Sequence, residues 1–582
     1  MAEYLSPGVY VEEFDSGANP MEGVGTSTAG FVGLAERGPI EGVPQLITNF
    51  ADFRRTYGGY LSENEFGNYR FLSYAVESFF VNGGARCFVM RVAPSDAKPA
   101  VGSAPAKDKA VLTVTAKNPG VWGNDLRIAF SASSKAKAQI LEVITSPGGK
   151  KYRAKSAAGF NPGDVVEYID GTGKSIVNQV KSNQDNILTF ESDFPDSIVD
   201  TNLLPTKVIT TCEFTMEVRY GDTVETYNNC SFNIEAPNYI EKITSKSDLI
   251  VASFTAPAGG DKKDKKAAVA KPIDQIGTNL IELTGGSNGQ VSSISAADFI
   301  GVDNGAGKRT GIQAFVDNDV VSIMAVPGVT DPNVQLTLVA HCENLASRFA
   351  VLDIPQDAKK VQDVIAHRDI FDSEYAALYH PWLQVFDPLD KKNIAIPPSG
   401  AVMGIYARSD NTRGVHKAPA NEVVRACSGL DCQFNKGEQD ILNPKGINLI
   451  RAFPGQGIRV WGARTVSSNP KWKYVNVRRL FIFIEESIKA NTNWAVFEPN
   501  DTALWVRVQR TISVFLTGLW RNGSLMGSSP EEAFFVNIGR DTMSQDDIDN
   551  GRLICVIGVA PVKPAEFVIF RITQKTSESS AE

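Results

Sequence analysis

The sequence predicts a multidomain α/β (α+β) chain with an all-β domain inserted into it, and three observations carry that reading. The 582 residues exceed what a single core organises, so three or four domains are expected. A β-α-β-α-β rhythm runs through the middle of the chain. Two low-complexity stretches, 94–110 and 256–272, are rich in Ala, Pro, Lys and Gly and bracket a segment of short β-prone runs.

At the front, Leu5-Ser-Pro-Gly-Val-Tyr-Val-Glu12 reads as a turn at Pro7-Gly8 followed by a short strand on Val9, Tyr10 and Val11. Ala29–Leu34 is the next strand. A helix over about Asn68–Val81 is stopped by Asn82-Gly83-Gly84, and Cys87–Val92 is a strand after it. Then comes the β-rich segment. Val111–Thr115, Leu126–Phe130, Val165–Ile169, Ile187–Phe190, Phe214–Val218 and Cys230–Ile234 alternate with turn signals, the pattern of a sandwich or barrel. This places an inserted β domain at 97–284.

The host resumes with a buried strand at Val320–Val326, closed by Pro327-Gly328. Asp331-Pro332 supplies an N-cap and a first-turn proline for a helix to about Ser347. A strand at Phe349–Ile354, a helix over about Ala358–Phe371 and a strand near Ala376–Tyr379 complete the run. The expected domains are 1–20, 21–96 plus 285–435, 97–284, and 436–582. In the last of these, Ile458–Trp461 is a strand, about Tyr474–Ala490 a helix and Trp494–Phe497 a strand. A helix capped by Asn500 or Asp501 ends near Trp520, and strands follow at Phe534–Ile538 and Leu553–Val559. The chain closes on Ala565-Glu-Phe-Val-Ile-Phe-Arg-Ile-Thr573, in which Phe567, Val568, Ile569, Phe570 and Ile572 form a strand-like apolar run. Termini normally fray, so apolar strands at both ends call for a partner, either the chain's own sheet or the edge of a neighbouring copy.

Composition excludes several function classes. The net charge of −8 argues against wholesale nucleic-acid binding. Between Ile441 and Pro530, however, twelve Lys/Arg face four Asp/Glu, a local +8 on an otherwise acidic chain. No apolar run reaches the ~20 residues of a membrane span, and no signal-peptide pattern is expected at Met1–Pro7. Seven scattered cysteines fit reduced thiols better than a disulfide framework.

Catalytic and cofactor motifs fail on spacing. Gly301-Val-Asp-Asn-Gly-Ala-Gly-Lys-Arg-Thr310 has one residue too many before its Gly-Lys pair, and Arg309 stands where a phosphate loop needs a hydroxyl. Cys427 and Cys432 lack a second pair, and His341, His367, His380 and His416 lack metal-ligand spacing. No cofactor, metal or catalytic residue is expected. In the basic stretch, Tyr474, Val477, Phe481, Ile484 and Ile488 have helical spacing and read as core. That leaves Lys471, Lys473, Arg478 and Arg479 as a solvated face or a docking face for an acidic partner.

Many short motifs in a fixed order resemble contractile tail sheath proteins, the outer-tube subunits of contractile phage tails and related injection machines. They are Ser6-Pro-Gly-Val-Tyr-Val-Glu-Glu13, Gly23–Thr28, Gly307-Lys-Arg-Thr-Gly-Ile-Gln313 and Val326-Pro-Gly328. Further along come Asn443-Pro-Lys-Gly446, Gly457-Ile-Arg-Val-Trp-Gly-Ala-Arg464, Tyr474–Leu480, Pro530–Phe535 and Ala560-Pro-Val-Lys-Pro-Ala-Glu-Phe567. Residues 97–284 match no family pattern, as for a variable outer domain. The resemblance implies self-assembly into stacked hexameric rings around an inner tube, with baseplate and tail-terminator or cap proteins as further partners. It implies terminal strands exchanged between subunits and contraction without a nucleotide. It also implies assembly in a bacterial cytoplasm, with no direct nucleic-acid contact and no membrane insertion. The basic residues Lys471, Lys473, Arg478 and Arg479 are then expected to face the tube. An adhesin-like particle component, suggested by the β-rich insertion, is the alternative.

Overall fold

The computed structural model describes residues 21–104, 111–147, 149–170, 172–195, 198, 208–255, 269–569 and 571. The readings placed on Val9, Tyr10, Val11, Phe570 and Ile572 lie outside these residues.

A nine-stranded sheet forms the centre. Its strand order is Gln45–Ile47, Cys87–Val92, Ala29–Leu34, Ile323–Ala325, Phe349–Asp353, Ala376–His380, Ile447–Phe453, Gly457–Val460 and Glu422–Val423. The six strands from Cys87–Val92 to Ile447–Phe453 run parallel, and the strands outside them pair antiparallel. The parallel strands are near-continuous apolar runs because both faces are covered. Phe31, Phe349, Val351 and Tyr379 enter one core with the helices Leu72–Asn82 and Ser399–Arg413. Val32, Met324, Leu352 and Leu378 enter the other with Pro332–Leu345 and Val361–Arg368.

Local signals account for these helices. Asp331 caps the first turn of Pro332–Leu345 by accepting from the Asn333 amide at 2.8 Å, with proline at the first helical position. Ser399–Arg413 packs almost backbone to backbone on Leu72–Asn82. A Cβ on Gly400 or Gly404 would sit 2.3 Å from Ala75 O or 2.4 Å from Phe79 O, so only glycine fits.

The chain leaves this sheet at Val92 and returns at Ile323. Between them lie a three-stranded sheet (Val101–Ala104, Leu112–Ala116, Ile250–Phe254) and a four-stranded one (Arg127–Ser133, Glu213–Tyr220, Thr223–Cys230, Ile281–Glu282). These two share one core, which includes Leu112, Trp122, Ile128, Phe214 and Ile250. Six further strands between Lys137 and Thr211 close into a barrel around Tyr152, Tyr168, Leu188 and Phe194. Lys135 joins the two bodies, pairing with Asp164 at 2.7 Å and Glu213 at 3.5 Å.

Three expectations are corrected. The boundary at 435/436 cuts the central sheet, because Ile447–Phe453 pairs in parallel with Ala376–His380 and Gly457–Val460 continues it. Trp494–Phe497 is not a strand. Asn493–Ala495 is a single 3-10 turn, and Phe497 is fully exposed with a φ of +67°. The strand expected over Cys230–Ile234 ends at Cys230.

Beyond the sheet, the helices Val475–Asn491 and Thr502–Arg521 pack together through Leu480, Ile484, Leu504, Val508, Ile512 and Leu516. The antiparallel pair Phe534–Ile538 and Cys555–Val559 lies against them, in the register Val536↔Ile557. No helix is long and apolar enough to cross a membrane among the described residues.

Candidate inter-subunit surface

The basic segment divides into buried and exposed halves. Arg478 and Arg479 belong to the first, which corrects the expectation that they form a solvated, tube-facing surface. Both are almost fully buried. Arg479 forms a two-pronged bridge to Asp410 on the neighbouring helix, at 2.6 and 3.0 Å, donates to Thr26 O at 2.8 Å, and stacks on Tyr406. Burial pulls its pKa down, but the Asp410 charge and hydrogen bonds outweigh this, and the net shift is upward. Arg478 lies between the rings of Tyr375 and Trp472, with Glu485 at 2.8 Å. The helix has two buried faces, one against the central body and one against Thr502–Arg521. A single apolar stripe could not reveal this.

Lys471 is exposed. Lys473 is half-buried, 3.6 Å from Glu566 and over the ring of Tyr474. Lys445 and Lys489 are exposed as well, and three more exposed cations, Arg507, Arg510 and Arg521, lie on Thr502–Arg521, a helix with no acidic residue. On its outer face, Val506, Arg510, Val514 and Arg521 are solvent-exposed. Arg507 beside them pairs with Glu498 at 3.0 Å and stacks on Trp494.

The C-terminal tail is clamped and then released. Arg464 grips Glu566 with two hydrogen bonds of 2.7 and 2.6 Å, while Asn443 and Tyr474 donate at 2.9 and 3.2 Å. Burial alone would raise the Glu566 pKa, but these bonds and the charges of Arg464 and Lys473 hold it down to about 2. The clamp joins two motifs far apart in sequence, Gly457–Arg464 and Ala560–Phe567, and that pairing was not legible from either one. Immediately after it, Phe567, Val568 and Ile569 are 72%, 69% and 79% exposed and belong to no strand among the described residues. A short way back, the two-stranded sheet presents Phe535 and Val556 to solvent, with exposed Ile554 just before its second strand. Neither of its outer edges is paired among the described strands.

The residues set aside in the sequence occupy structural positions. Arg309 turns inward to Asp303 and Asp317, which closes the glycine-rich loop on itself. His341, His367 and His380 are buried, and that pushes each down to about 4. Cys432 lies 3.7 Å from His380, but burial raises its thiol to about 11. All seven cysteines are free, and no group of three metal-ligating side chains occurs among the described residues.

Residues 304–466 match the phage tail sheath protein central domain, and 467–575 match the phage tail sheath C-terminal domain. The chain belongs to the contractile tail sheath family. Among its relatives, the tail sheath protein of Escherichia phage P2 is 24% identical over 295 residues, covering 48% of this chain and 72% of that one. The fold is shared with two cryo-EM structures. The PVC sheath complex of an extracellular contractile injection system, in the contracted state, has TM-score 0.51 at 22% identity, with 99% of each chain covered. The helical sheath of the anti-feeding prophage, also in the contracted state, has TM-score 0.51 at 21% identity, covering 98% of this chain and 99% of that one. The family boundary at 466/467 falls after the last strand of the nine-stranded sheet, Gly457–Val460.

Proposed function

We propose that this structural subunit polymerises as stacked hexameric rings around an inner tube and contracts to drive the tube through a target envelope. One observation carries the reading. An anchored tail releases the exposed apolar run Phe567–Ile569, a few residues past a two-stranded sheet whose outer edges pair with no strand among the described residues. An unpaired sheet edge is a template for another chain's strand. Val9, Tyr10 and Val11 at one end, and Phe567, Val568, Ile569, Phe570 and Ile572 at the other, complete such sheets on neighbouring copies. Backbone hydrogen bonds then hold the lattice together while rigid bodies rotate. Contraction draws its free energy from burying more inter-subunit surface, with no nucleotide consumed.

In this arrangement residues 1–20 form a linking arm, and the nine-stranded body is the middle domain. The β-rich segment 97–284 is the outer domain, and the part after 466 is the inner domain. The tube contact falls on Lys471, Lys473 and the outer face of Thr502–Arg521. Exposed Arg510 and Arg521 with Val506 and Val514 suit an acidic partner wall. Baseplate and cap proteins close the two ends, and the particle assembles in a bacterial cytoplasm.

The test is negative-stain microscopy of the purified protein and of a chain lacking residues 1–13. The full chain is expected to form hollow tubes, and the shortened chain folded subunits only. Tubes of normal stability from the shortened chain would overturn the connector reading.

A further inference from the structure

We infer that the groove beside the clamped tail is the receptor for the acidic part of the N-terminal arm of a second copy, an inference that rests on the connector reading above. The groove encloses about 1040 Å³ between the central body and residues 562–568. Three of its lining cations, Arg413, Lys436 and Lys563, are exposed and carry no ion pair among the described residues. Trp461 and Phe567 add exposed aromatic surface to its walls. With Lys417 and Arg451 added to these three, five lining cations outnumber the two lining carboxylates, Asp440 and Glu566. The groove is therefore net basic, and its aromatic walls suit a segment that carries carboxylates and apolar side chains in close alternation.

That composition occurs within this chain. Residues 1–20 contain Glu3, Glu12, Glu13 and Asp15 with no Lys or Arg; Tyr10 precedes the acidic cluster and Phe14 interrupts it. Spacing supports the same register on both partners. On the receptor, the groove-lining Val562 follows the last strand residue, Val559, by three positions, at most ~10 Å of chain. On the arm, Glu12 to Asp15 follow Val11 within four positions, at most ~14 Å. An arm that pairs Val9–Val11 in the same direction as Cys555–Val559 brings its carboxylates to the Val559 end of the sheet, within reach of the mouth of the groove. Hydrogen bonding along the edge supplies strength, and the charges set direction and register.

Two charge-reversed full-length chains test this: a groove variant, Arg413→Glu/Lys436→Glu/Lys563→Glu, and an arm variant, Glu12→Lys/Glu13→Lys/Asp15→Lys. All six substitutions lie on the surface or in the arm, and an acidic residue at Lys436, in the first turn of Lys436–Leu442, suits the helix dipole. Each variant alone is expected to lose at least ~10-fold in tube yield at low salt while keeping the wild-type melting curve. A chain with both sets reversed is expected to regain tubes. So is an equal mixture of the two single variants, because a reversed arm then meets a reversed groove on another copy. A dead mixture alongside an active doubly reversed chain would mean that each arm docks on its own subunit, and would overturn the inference. Wild-type tubes from the groove variant, with deletion of residues 1–13 still blocking assembly, would overturn the groove and leave the connector reading intact. Wild-type tubes from the deletion chain as well would overturn both.

Discussion

The nine-stranded and two-stranded sheets are made of equally β-prone runs, yet they are finished differently. In the large sheet, alternate residues of each parallel strand enter cores on opposite faces, and short antiparallel strands, Gln45–Ile47 and Glu422–Val423, form its two edges. In the small sheet, Val536 is buried while Phe535 and Val556 are half-exposed, and both edges are open among the described strands. The first sheet buries both faces within the chain, and the second leaves an apolar face and long strand edges for other copies to cover. Sequence runs of similar apolarity thus divide into fold and interface according to whether local partners exist.

The comparison would break if the two sheets responded alike to truncation. Phe349→Ala removes a fully buried ring from the large sheet and is expected to cost about 3–5 kcal/mol in chemical denaturation. Phe535→Ala is expected to change stability by no more than ~0.5 kcal/mol yet to abolish tube formation in the microscope. A large destabilisation from Phe535→Ala would mean that the Phe535 face of the small sheet, like the Val536 face, is held by the monomer's own core.

The same contrast separates the arginines. Arg479→Ala leaves the Asp410 carboxylate buried without its partner, 4% exposed, and is expected to destabilise the subunit by about 3–5 kcal/mol. Arg510→Glu alters only the solvated face of its helix. It is expected to leave the melting transition within ~0.5 kcal/mol of wild type while weakening co-assembly with the tube protein, measured by co-sedimentation. Equal thermal shifts for the two variants would erase the distinction between inner and outer cations.

What the sequence disclosed follows from the range of each signal. The Asp331-Pro332 cap, the buried run at Phe349–Asp353 and the helix ending before Gly83 are local, and all stand where they were expected. Arg478 and Arg479 were misplaced because their partners are set by tertiary structure. Asp410 is 69 residues away from Arg479, and no spacing rule connects them. Trp494–Phe497 has strand composition but pairs with no strand among the described residues, and its backbone turns instead. The Arg464–Glu566 clamp spans 102 residues and was hidden for the same reason, although both ends lay in motifs that the sequence had singled out.

The clamp also gives the smallest effect, a pH dependence confined to the tail. The Glu566 pKa lies near 2 in the folded chain against an ordinary 4.5, so the unfolded or released tail binds a proton first as pH falls. The contribution to anchoring is therefore complete above about pH 4.5 and is lost between there and pH 2. The carboxylate is partly open to water, which screens its charges and holds the contribution to about 1 kcal/mol. Amide exchange of residues 562–569 is expected to accelerate over that window in wild type. Glu566→Gln cannot titrate and should exchange at the faster rate at every pH, with global stability almost unchanged. A mutant tail as protected as wild type at neutral pH would show that the neighbouring backbone contacts of Val562 hold the tail without the clamp.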